Sequence, residues 1–250
     1  MHGVRPLTRR ESILPFLIVA VLGGGGPAQA QDFEAARERL VREIAADARR
    51  TASFTGRRRF DERVTAALSR VKRHLFVPEA LRRLAYVNRP LPIGHGQTIS
   101  QPYIVALMTD LLHPAPGQVA LEVGTGSGYQ AAVLAELGLR VFTMEVIEPL
   151  AESARARLKA LGYGTVTTRW GDGYDGWPEH APFDAIVVTA AASHIPPPLI
   201  AQLKPGGRMV IPVGARFMTQ QLVLVEKDSE GRVRTRQILP VIFVPFTRRR

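Results

Sequence analysis

A glycine-rich turn preceded by an acidic residue is the strongest chemical signal in this sequence. It reads Glu122-Val-Gly-Thr-Gly-Ser-Gly128, with the spacing acid-x-G-x-G-x-G. Glycines let a backbone approach a ligand closely, and a helix that follows such a turn offers free N–H groups. A dinucleotide fingerprint needs glycine where Tyr129 stands, and the acid would repel a pyrophosphate. We therefore expect a cationic, phosphate-free nucleoside to be bound by Glu122, Gly124, Thr125, Gly126, Ser127 and Gly128.

Two further acidic residues stand at the ends of the next predicted strands. Glu145 lies 21 residues after Gly124, where a carboxylate can bind the diol of a ribose. Asp172, followed by Gly173, can accept a hydrogen bond from an adenine amino group. Taken singly, these features also fit a tight connection, a solvated strand end and an ordinary turn. Together, at the carboxyl ends of successive parallel strands, they indicate S-adenosylmethionine, which carries an ammonium group and a sulfonium centre.

The elements that must position these residues alternate between strand and helix after residue 117. Such alternation predicts an α/β fold with a doubly wound, mostly parallel sheet. Two last strands are separated only by a short turn, so they should form an antiparallel hairpin at one edge. The predicted strands are Val119–Val123, Val141–Glu145, Thr165–Trp170, Ala185–Thr189, Arg208–Pro212, Gln221–Lys227 and Arg234–Val244, and the predicted helices between them are Gln130–Leu137 and Pro149–Leu161.

The residues before this core divide into a leader and a helical segment. Residues 1–30 combine a basic start, an apolar run over 13–22 and the small-x-small sequence Ala28-Gln-Ala30, a pattern typical of a signal peptide. Apolar residues at helical spacing predict amphipathic helices over Phe33–Arg50 and Asp61–Lys72. We therefore expect a cleaved leader over 1–30 and a single domain over 31–250, with a helical lobe over 31–90 and the α/β core over 91–250.

Composition excludes several classes of chemistry and leaves one question open. The chain has 250 residues and no cysteine, which excludes a disulfide framework, a thiolate nucleophile and cysteine-bound metal. Its formal charge is +11, and loss of the leader would remove three arginines and one glutamate, leaving +9. This excess favours an acidic or anionic partner. However, the arginines are dispersed or gathered in loops without interleaved aromatics, so we expect no nucleic-acid partner.

Longer motifs give the chain a family resemblance. The sequence closely resembles the protein-L-isoaspartate O-methyltransferase family from about residue 38 to 247, and the segment over 91–103 is its most specific part. The turn at 122–129 is shared more widely among methyltransferases. The other matching segments are 73–79, 171–174, 181–186, 188–191, 211–214 and 243–246.

The resemblance implies a Rossmann-like methyltransferase fold and a defined reaction. The family transfers a methyl group from S-adenosylmethionine to the free carboxylate of L-isoaspartyl residues in damaged proteins, and the ester then closes to a succinimide. That carboxylate, with a pKa of about 3.5, is already ionised at neutral pH, so no strong general base is needed. Ser100 matches the family's active-site serine, although it could equally cap the helix that follows. His95, Thr98 and Val213 are implied substrate contacts, and no metal is expected.

The remaining expectations concern the partner and the compartment. We expect damaged isoaspartyl proteins as substrates, a monomer, and no stable membrane association of the mature chain. The leader indicates export to the periplasm, whereas the family's usual compartment is the cytoplasm, where the cofactor is made. The alternatives are a methyltransferase acting on RNA or a small molecule, and a non-catalytic adenosyl-binding module.

Overall fold

The computed structural model describes residues 32–216 and 218–248. Contacts within the chain separate Met1–Gln31 from a second unit, Asp32–Arg250, to which all the described residues belong. The expected leader over 1–30 lies outside the described residues. The expected division of residues 31–250 into a helical lobe and an α/β core stays a prediction, because the described residues all fall in one unit.

Helices dominate the first part of the described chain. The longest, α1, begins where the Asp32 carboxylate accepts hydrogen bonds from the N–H groups of Glu34 and Ala35, and it buries apolar residues at helical spacing. The helices are α1 (Phe33–Arg50), α2 (Ala52–Thr55), α3 (Glu62–Arg70), α4 (Pro102–Leu111), α5 (Tyr129–Glu136), α6 (Glu148–Ala160) and α7 (Pro197–Gln202), and short 3-10 helices occupy Arg73–Leu75, Glu79–Leu84, Gly173–Asp175 and Pro178–His180.

A seven-stranded sheet forms the centre of the described fold and confirms the doubly wound prediction. Its order is β5-β4-β3-β6-β7-β8-β9, with β3 to β7 parallel and the last two strands antiparallel. The order reverses beside β3, where such sheets bind ligands. The strands are β3 (Val119–Val123), β4 (Arg140–Glu145), β5 (Thr167–Trp170), β6 (Phe183–Val188), β7 (Leu203–Val213), β8 (Gln220–Lys227) and β9 (Val233–Val241).

A small antiparallel hairpin precedes α4 and was not predicted as strand. Its strands are β1 (Leu91–Gly94) and β2 (Gln97–Ile99). His95 has a positive φ of 52° in the connection between them. Residues 94–98 thus comprise the end of β1, a two-residue turn and the start of β2.

Two hydrophobic clusters hold the layers together, one on each face of the sheet. The first joins residues of α1, α3, α4 and α5 to inward residues of the sheet such as Ala120 and Val210. The second covers the opposite face with Leu199 of α7 and Trp177. The helices α1 and α3 therefore pack into the same apolar cluster as α4, α5 and the sheet. Within the described ranges, no helix is long and apolar enough to cross a membrane.

Candidate active site

The glycine-rich turn lies between β3 and α5, and its backbone conformation and close contacts favour glycine at two positions. Gly124 has a φ of +99°, and a Cβ there would lie 2.4 Å from Oγ1 of Thr189. The Thr189 hydroxyl donates a hydrogen bond of 2.6 Å to the Gly124 carbonyl oxygen. Gly128 has a φ of +88° and packs against Leu158 of α6. Any other residue at Gly124 would meet both backbone strain and a steric clash, whereas at Gly128 it would meet backbone strain and a tight contact of 3.1 Å with Leu158.

Glu145 closes the turn from the end of the neighbouring strand. Its Oε2 accepts a hydrogen bond of 2.8 Å from the Gly126 N–H, and its Oε1 accepts one of 3.0 Å from the Ile147 N–H. The side chain is buried at the edge of the site. Because a carboxylate has about four lone-pair positions, it can still accept bonds from ligand hydroxyl groups. A ribose diol is one ligand group that could donate such bonds.

Glu122 is buried beneath the turn with half of its carboxylate unpartnered. Its Oε2 accepts a 2.7 Å hydrogen bond from the Thr143 hydroxyl, which also lies 2.6 Å from Oγ1 of Thr125. Its Oε1 is buried and has no hydrogen-bond partner among the described residues. Burial raises the pKa of Glu122 to about 8, and the nearby charge of Glu145 adds to this rise. A cation bound in this pocket would supply the missing partner.

These groups line one cavity at the carboxyl ends of the parallel strands. It contains about 780 Å³ of space, including the part open to solvent, and none of its described lining residues is a lysine, arginine or histidine. Its two carboxylates, Glu122 and Glu145, therefore face no fixed positive charge in the lining. A cavity with these properties favours a cationic ligand without phosphate, and such a ligand would lower the pKa of Glu122 and favour its ionised form.

Most of the sequence-predicted site residues meet in this first cavity. Those that line it are Thr98, Ser100, Glu122, Gly124, Thr125, Gly126, Ser127, Glu145 and Gly173. Gly128 does not line this cavity, because it is buried against α6. Its contribution is to begin the helix: it occupies the N-cap position of α5.

Three other predicted residues lie outside the lining. Asp172 accepts hydrogen bonds from the Tyr174 N–H and from Nε of Arg248, while its neighbour Gly173 lines the cavity. His95 is exposed at the tip of the β1–β2 hairpin. Val213 ends β7, half-buried and paired with Gln221. The expected ligand contacts of Asp172, His95 and Val213 therefore stay predictions.

A second cavity meets the first at Ser100. Both are lined by Thr98, Ser100 and Thr189, and the second contains about 910 Å³ of space, including the part open to solvent. No charged side chain occurs among its described lining residues, which are otherwise Pro90, Gln101, Ile104, Thr219, Pro240, Val241, Ile242 and Phe243. A ligand in this groove could therefore reach a ligand in the first cavity at Ser100.

Ser100 does not cap the following helix, so that expectation is wrong. The N-cap of α4 is Gln101, and no side chain donates or accepts a capping hydrogen bond there. The Ser100 hydroxyl has no hydrogen-bond partner within the described part of the chain, and the residue is half-buried. Its hydroxyl is thus free to contact a ligand.

The carboxyl-terminal segment is a part of the site that the strand pattern misses. Residues 244–247 line the first cavity. They are held beside the end of β6 because Ala191 N–H donates to the Val244 carbonyl and Phe246 N–H donates to the Ala191 carbonyl, both at 2.8 Å. The predicted strand Arg234–Val244 ends at Val241 instead, which frees this segment to turn across the sheet. The motif over 243–246 is the sequence signal that could have identified it.

Among residues 32–216 and 218–248, no group of three or more His, Cys, Asp or Glu side chains is arranged to hold a metal ion.

Comparisons with known proteins agree with this geometry. The family model described as protein-L-isoaspartate(D-aspartate) O-methyltransferase (PCMT) matches residues 54–250. A protein-L-isoaspartate O-methyltransferase 2 of Syntrophobacter fumaroxidans is 62% identical over 242 residues, covering 95% of this chain and 98% of the relative. Another, from Polaromonas sp., is 66% identical over 211 residues, covering 84% and 100%.

Solved structures give the same result. A protein-L-isoaspartate O-methyltransferase structure superposes with a TM-score of 0.72 at 26% identity, covering 84% of this chain and 65% of the other. A Plasmodium falciparum protein assigned to the same activity, in complex with S-adenosyl-L-homocysteine, gives a TM-score of 0.71 at 25% identity, covering 88% and 100%. With the family match over most of its length and these full-length relatives, the chain belongs to the protein-L-isoaspartate O-methyltransferase family.

Proposed function

We propose that the two cavities bind the two substrates of a protein carboxyl methyl transfer and that Ser100 stands where they meet. As a member of its family, the chain is an S-adenosylmethionine-dependent protein-L-isoaspartate O-methyltransferase. The observation that carries the assignment of roles is that Ser100 lines both the acidic cavity and the uncharged groove.

The first cavity suits S-adenosylmethionine in charge and shape. The unpartnered Oε1 of Glu122 provides an acceptor for a cationic group, and the Glu145 carboxylate retains lone pairs for ribose hydroxyls. Gly124 and Gly126 let the backbone approach the ligand without an intervening Cβ. When bound, S-adenosylmethionine supplies an electrophilic methyl group on a sulfonium centre. We assign Glu122, Glu145 and the turn over 124–127 to holding it.

The groove suits an extended peptide segment with an isoaspartyl residue. Its walls are uncharged, so recognition would depend on shape and on hydrogen bonds rather than on a fixed countercharge. The isoaspartyl carboxylate would enter the shared region, where the Ser100 hydroxyl can donate a hydrogen bond to one oxygen. A neutral donor orients the carboxylate without reducing the nucleophilicity of its oxygen as strongly as a buried cation would.

Alignment then supplies the catalysis. The carboxylate is ionised at neutral pH because its pKa is about 3.5, so the protein need only hold one oxygen in line with the methyl group at roughly 3 Å and exclude water. The Glu145 carboxylate is tied to the glycine-rich turn by the hydrogen bond that it accepts from the Gly126 N–H. Ser100 orients the acceptor, and the glycine turn orients the donor.

The decisive experiment offers the purified chain labelled S-adenosylmethionine with three acceptors. These are an isoaspartyl peptide, its aspartyl twin and an RNA of mixed sequence. The proposal expects a base-labile label on the isoaspartyl peptide alone, because only that peptide carries the free carboxylate in the required position. Label on RNA would support the nucleic-acid alternative, and binding without transfer would support a non-catalytic adenosyl-binding module.

We also propose that the mature chain is exported and monomeric. The basic start, apolar run and small-x-small sequence within residues 1–30 support export. Sequencing the amino terminus of the protein from a periplasmic extract should find Gln31 first. An intact leader in the cytoplasmic fraction would overturn export, and light scattering that gives twice the chain mass would overturn the monomer.

A further inference from the structure

Arg73 is a buried cation behind the proposed active site. It opens the 3-10 helix Arg73–Leu75, is 0% exposed, and is one of the largest fully buried side chains. Its Nε donates a 2.9 Å hydrogen bond to the Ala85 carbonyl, and its Nη2 donates one of 2.8 Å to the Ser100 carbonyl. Its guanidinium carbon lies 4.9 Å from the centre of the Tyr129 ring. The third nitrogen, Nη1, is buried without a hydrogen-bond partner among the described residues.

This burial is difficult to explain by stability alone. The groups around the guanidinium are backbone carbonyls and the Tyr86 and Tyr129 side chains, and no carboxylate of the described residues pairs with it. Burial lowers the pKa of Arg73 to about 10, so the side chain remains protonated at neutral pH. Burying a charge without a countercharge is costly, and apolar replacements of buried charges are often tolerated. The burial of the Arg73 guanidinium is therefore better explained by the groups that it holds in place than by a contribution to folding stability.

Arg73 touches both halves of the site at once. Ser100 follows β2 and is assigned to the methyl acceptor, whereas Tyr129 is the first residue of α5, directly after the turn that is assigned to the donor. Both Ser100 and Tyr129 line the first cavity. The planar guanidinium is rigid and can hold a carbonyl at its edge while a ring packs on its face. One side chain thus fixes the separation between the acceptor and donor halves.

We propose that Arg73 is a positioning residue for methyl transfer, which sets the Ser100 backbone at a fixed place relative to the glycine-rich turn. The inference rests on the proposed function of Ser100. Methyl transfer requires an approach of roughly 3 Å along one line, so a displacement of less than 1 Å between the two halves slows the reaction without preventing either ligand from binding. Arg73 itself touches neither substrate.

The first test separates turnover from binding and folding. Arg73→Lys keeps the charge but cannot donate to both carbonyls in the fork geometry, and Arg73→Met keeps an unbranched chain without the charge. For both variants we expect kcat to fall by about 10-fold or more while the dissociation constant for S-adenosylhomocysteine changes by less than about 3-fold. The matched control is Phe76→Leu, because Phe76 packs edge-on against the same Tyr129 ring but has no side-chain group that can donate to the Ser100 carbonyl. Its kcat per folded molecule should stay within about 3-fold of the original chain.

The second test asks whether Arg73 acts through Ser100. The test is a double-mutant cycle that combines each Arg73 substitution with Ser100→Ala. If Arg73 acts through Ser100, the Arg73 substitution should lower kcat by less than about a further 3-fold in the Ser100→Ala background. Multiplicative losses would overturn the proposal, as would unchanged kcat in both Arg73 variants or failure of both to fold. Absence of methyl transfer by the unaltered chain would instead contradict the proposed function, so the two failures are distinguishable.

Discussion

The backbone N–H of Gly126 donates a 2.8 Å hydrogen bond to the carboxylate of Glu145. This bond joins the middle of the glycine-rich turn to the end of the neighbouring strand. The carboxylate that we assign to the ribose therefore also determines the shape of the turn. A substitution of Glu145 should therefore affect both the ribose contact and the shape of the turn.

Replacing Glu145 with glutamine should weaken cofactor binding. The amide has one carbonyl oxygen, so it cannot accept from both Gly126 and Ile147, and its NH2 group would face a backbone donor. We expect the dissociation constant for S-adenosylhomocysteine, measured by calorimetry, to rise about 10-fold, which corresponds to about 1.4 kcal/mol. Glu148→Gln, at an exposed acid three residues later, is the control and should leave the constant unchanged. Equal affinities for the two variants would contradict the role of Glu145.

Replacing Glu122 with glutamine should stabilise the fold as pH rises. The pKa of Glu122 is raised from its ordinary 4.5 to about 8, so between these values the folded chain holds a proton that the unfolded chain has released. The free energy of unfolding therefore falls as pH rises from about 4.5 to 8, and glutamine removes this loss. At pH 7.5 we expect a gain on the order of 1–3 kcal/mol.

Urea unfolding of both chains at pH 5, 6.5 and 8 measures this gain. The difference between the two free energies should grow across the series. A difference that does not depend on pH would show that Glu122 is ionised throughout. The same variant should bind S-adenosylhomocysteine more weakly, because glutamine, unlike Glu122, cannot ionise beside the ligand's ammonium group.

Replacing Ser100 with alanine should reduce turnover and leave stability unchanged. Its hydroxyl makes no hydrogen bond within the described chain, and Gln101 rather than Ser100 is the N-cap of α4. We expect the free energy of unfolding to change by less than about 0.5 kcal/mol and kcat to fall about 10-fold or more. Ser100→Thr keeps the hydroxyl and should restore part of the rate. Full activity of the alanine variant per folded molecule would exclude the orienting role.

Replacing Arg248 with glutamine should loosen the carboxyl-terminal wall of the cofactor cavity. Arg248 donates to Asp172 at 3.1 Å, and its guanidinium carbon lies 3.9 Å from the centre of the Tyr174 ring, directly after the lining segment 244–247. Because the side chain is more than half exposed, its loss should cost little stability. We expect stopped-flow dissociation of S-adenosylhomocysteine to be about 3- to 10-fold faster.

The matched control for Arg248 is Arg232→Gln. Arg232 is also an exposed arginine paired with acidic side chains, Asp228 and Glu230, but it lies in the turn between β8 and β9. Its loss should not change the dissociation rate. Equal rates for both variants and the unaltered chain would show that the wall does not depend on Arg248.

The sequence by itself determined the local features of this protein. Alternating apolar strands and amphipathic helices predicted the parallel sheet, because burial on both faces imposes such runs on a chain. The bounds of α1 and β3 agree with prediction. Asp32 caps the start of α1, and the glycine-rich turn ends β3. Glu145 was found because its spacing from Gly124 follows from the lengths of one helix and one strand. Each of these features is encoded within about thirty neighbouring residues.

Only the tertiary structure determined the contacts between segments that are far apart in the sequence. Arg73 reaches the Ser100 carbonyl across 27 residues of sequence, and the segment 244–247 lines the same cavity as the glycine-rich turn. The raised pKa of Glu122 depends on its burial beneath that turn. The meeting of two cavities at Ser100 likewise has no local signature. Such relationships depend on packing between elements far apart in sequence, which no spacing of residues along one segment can specify.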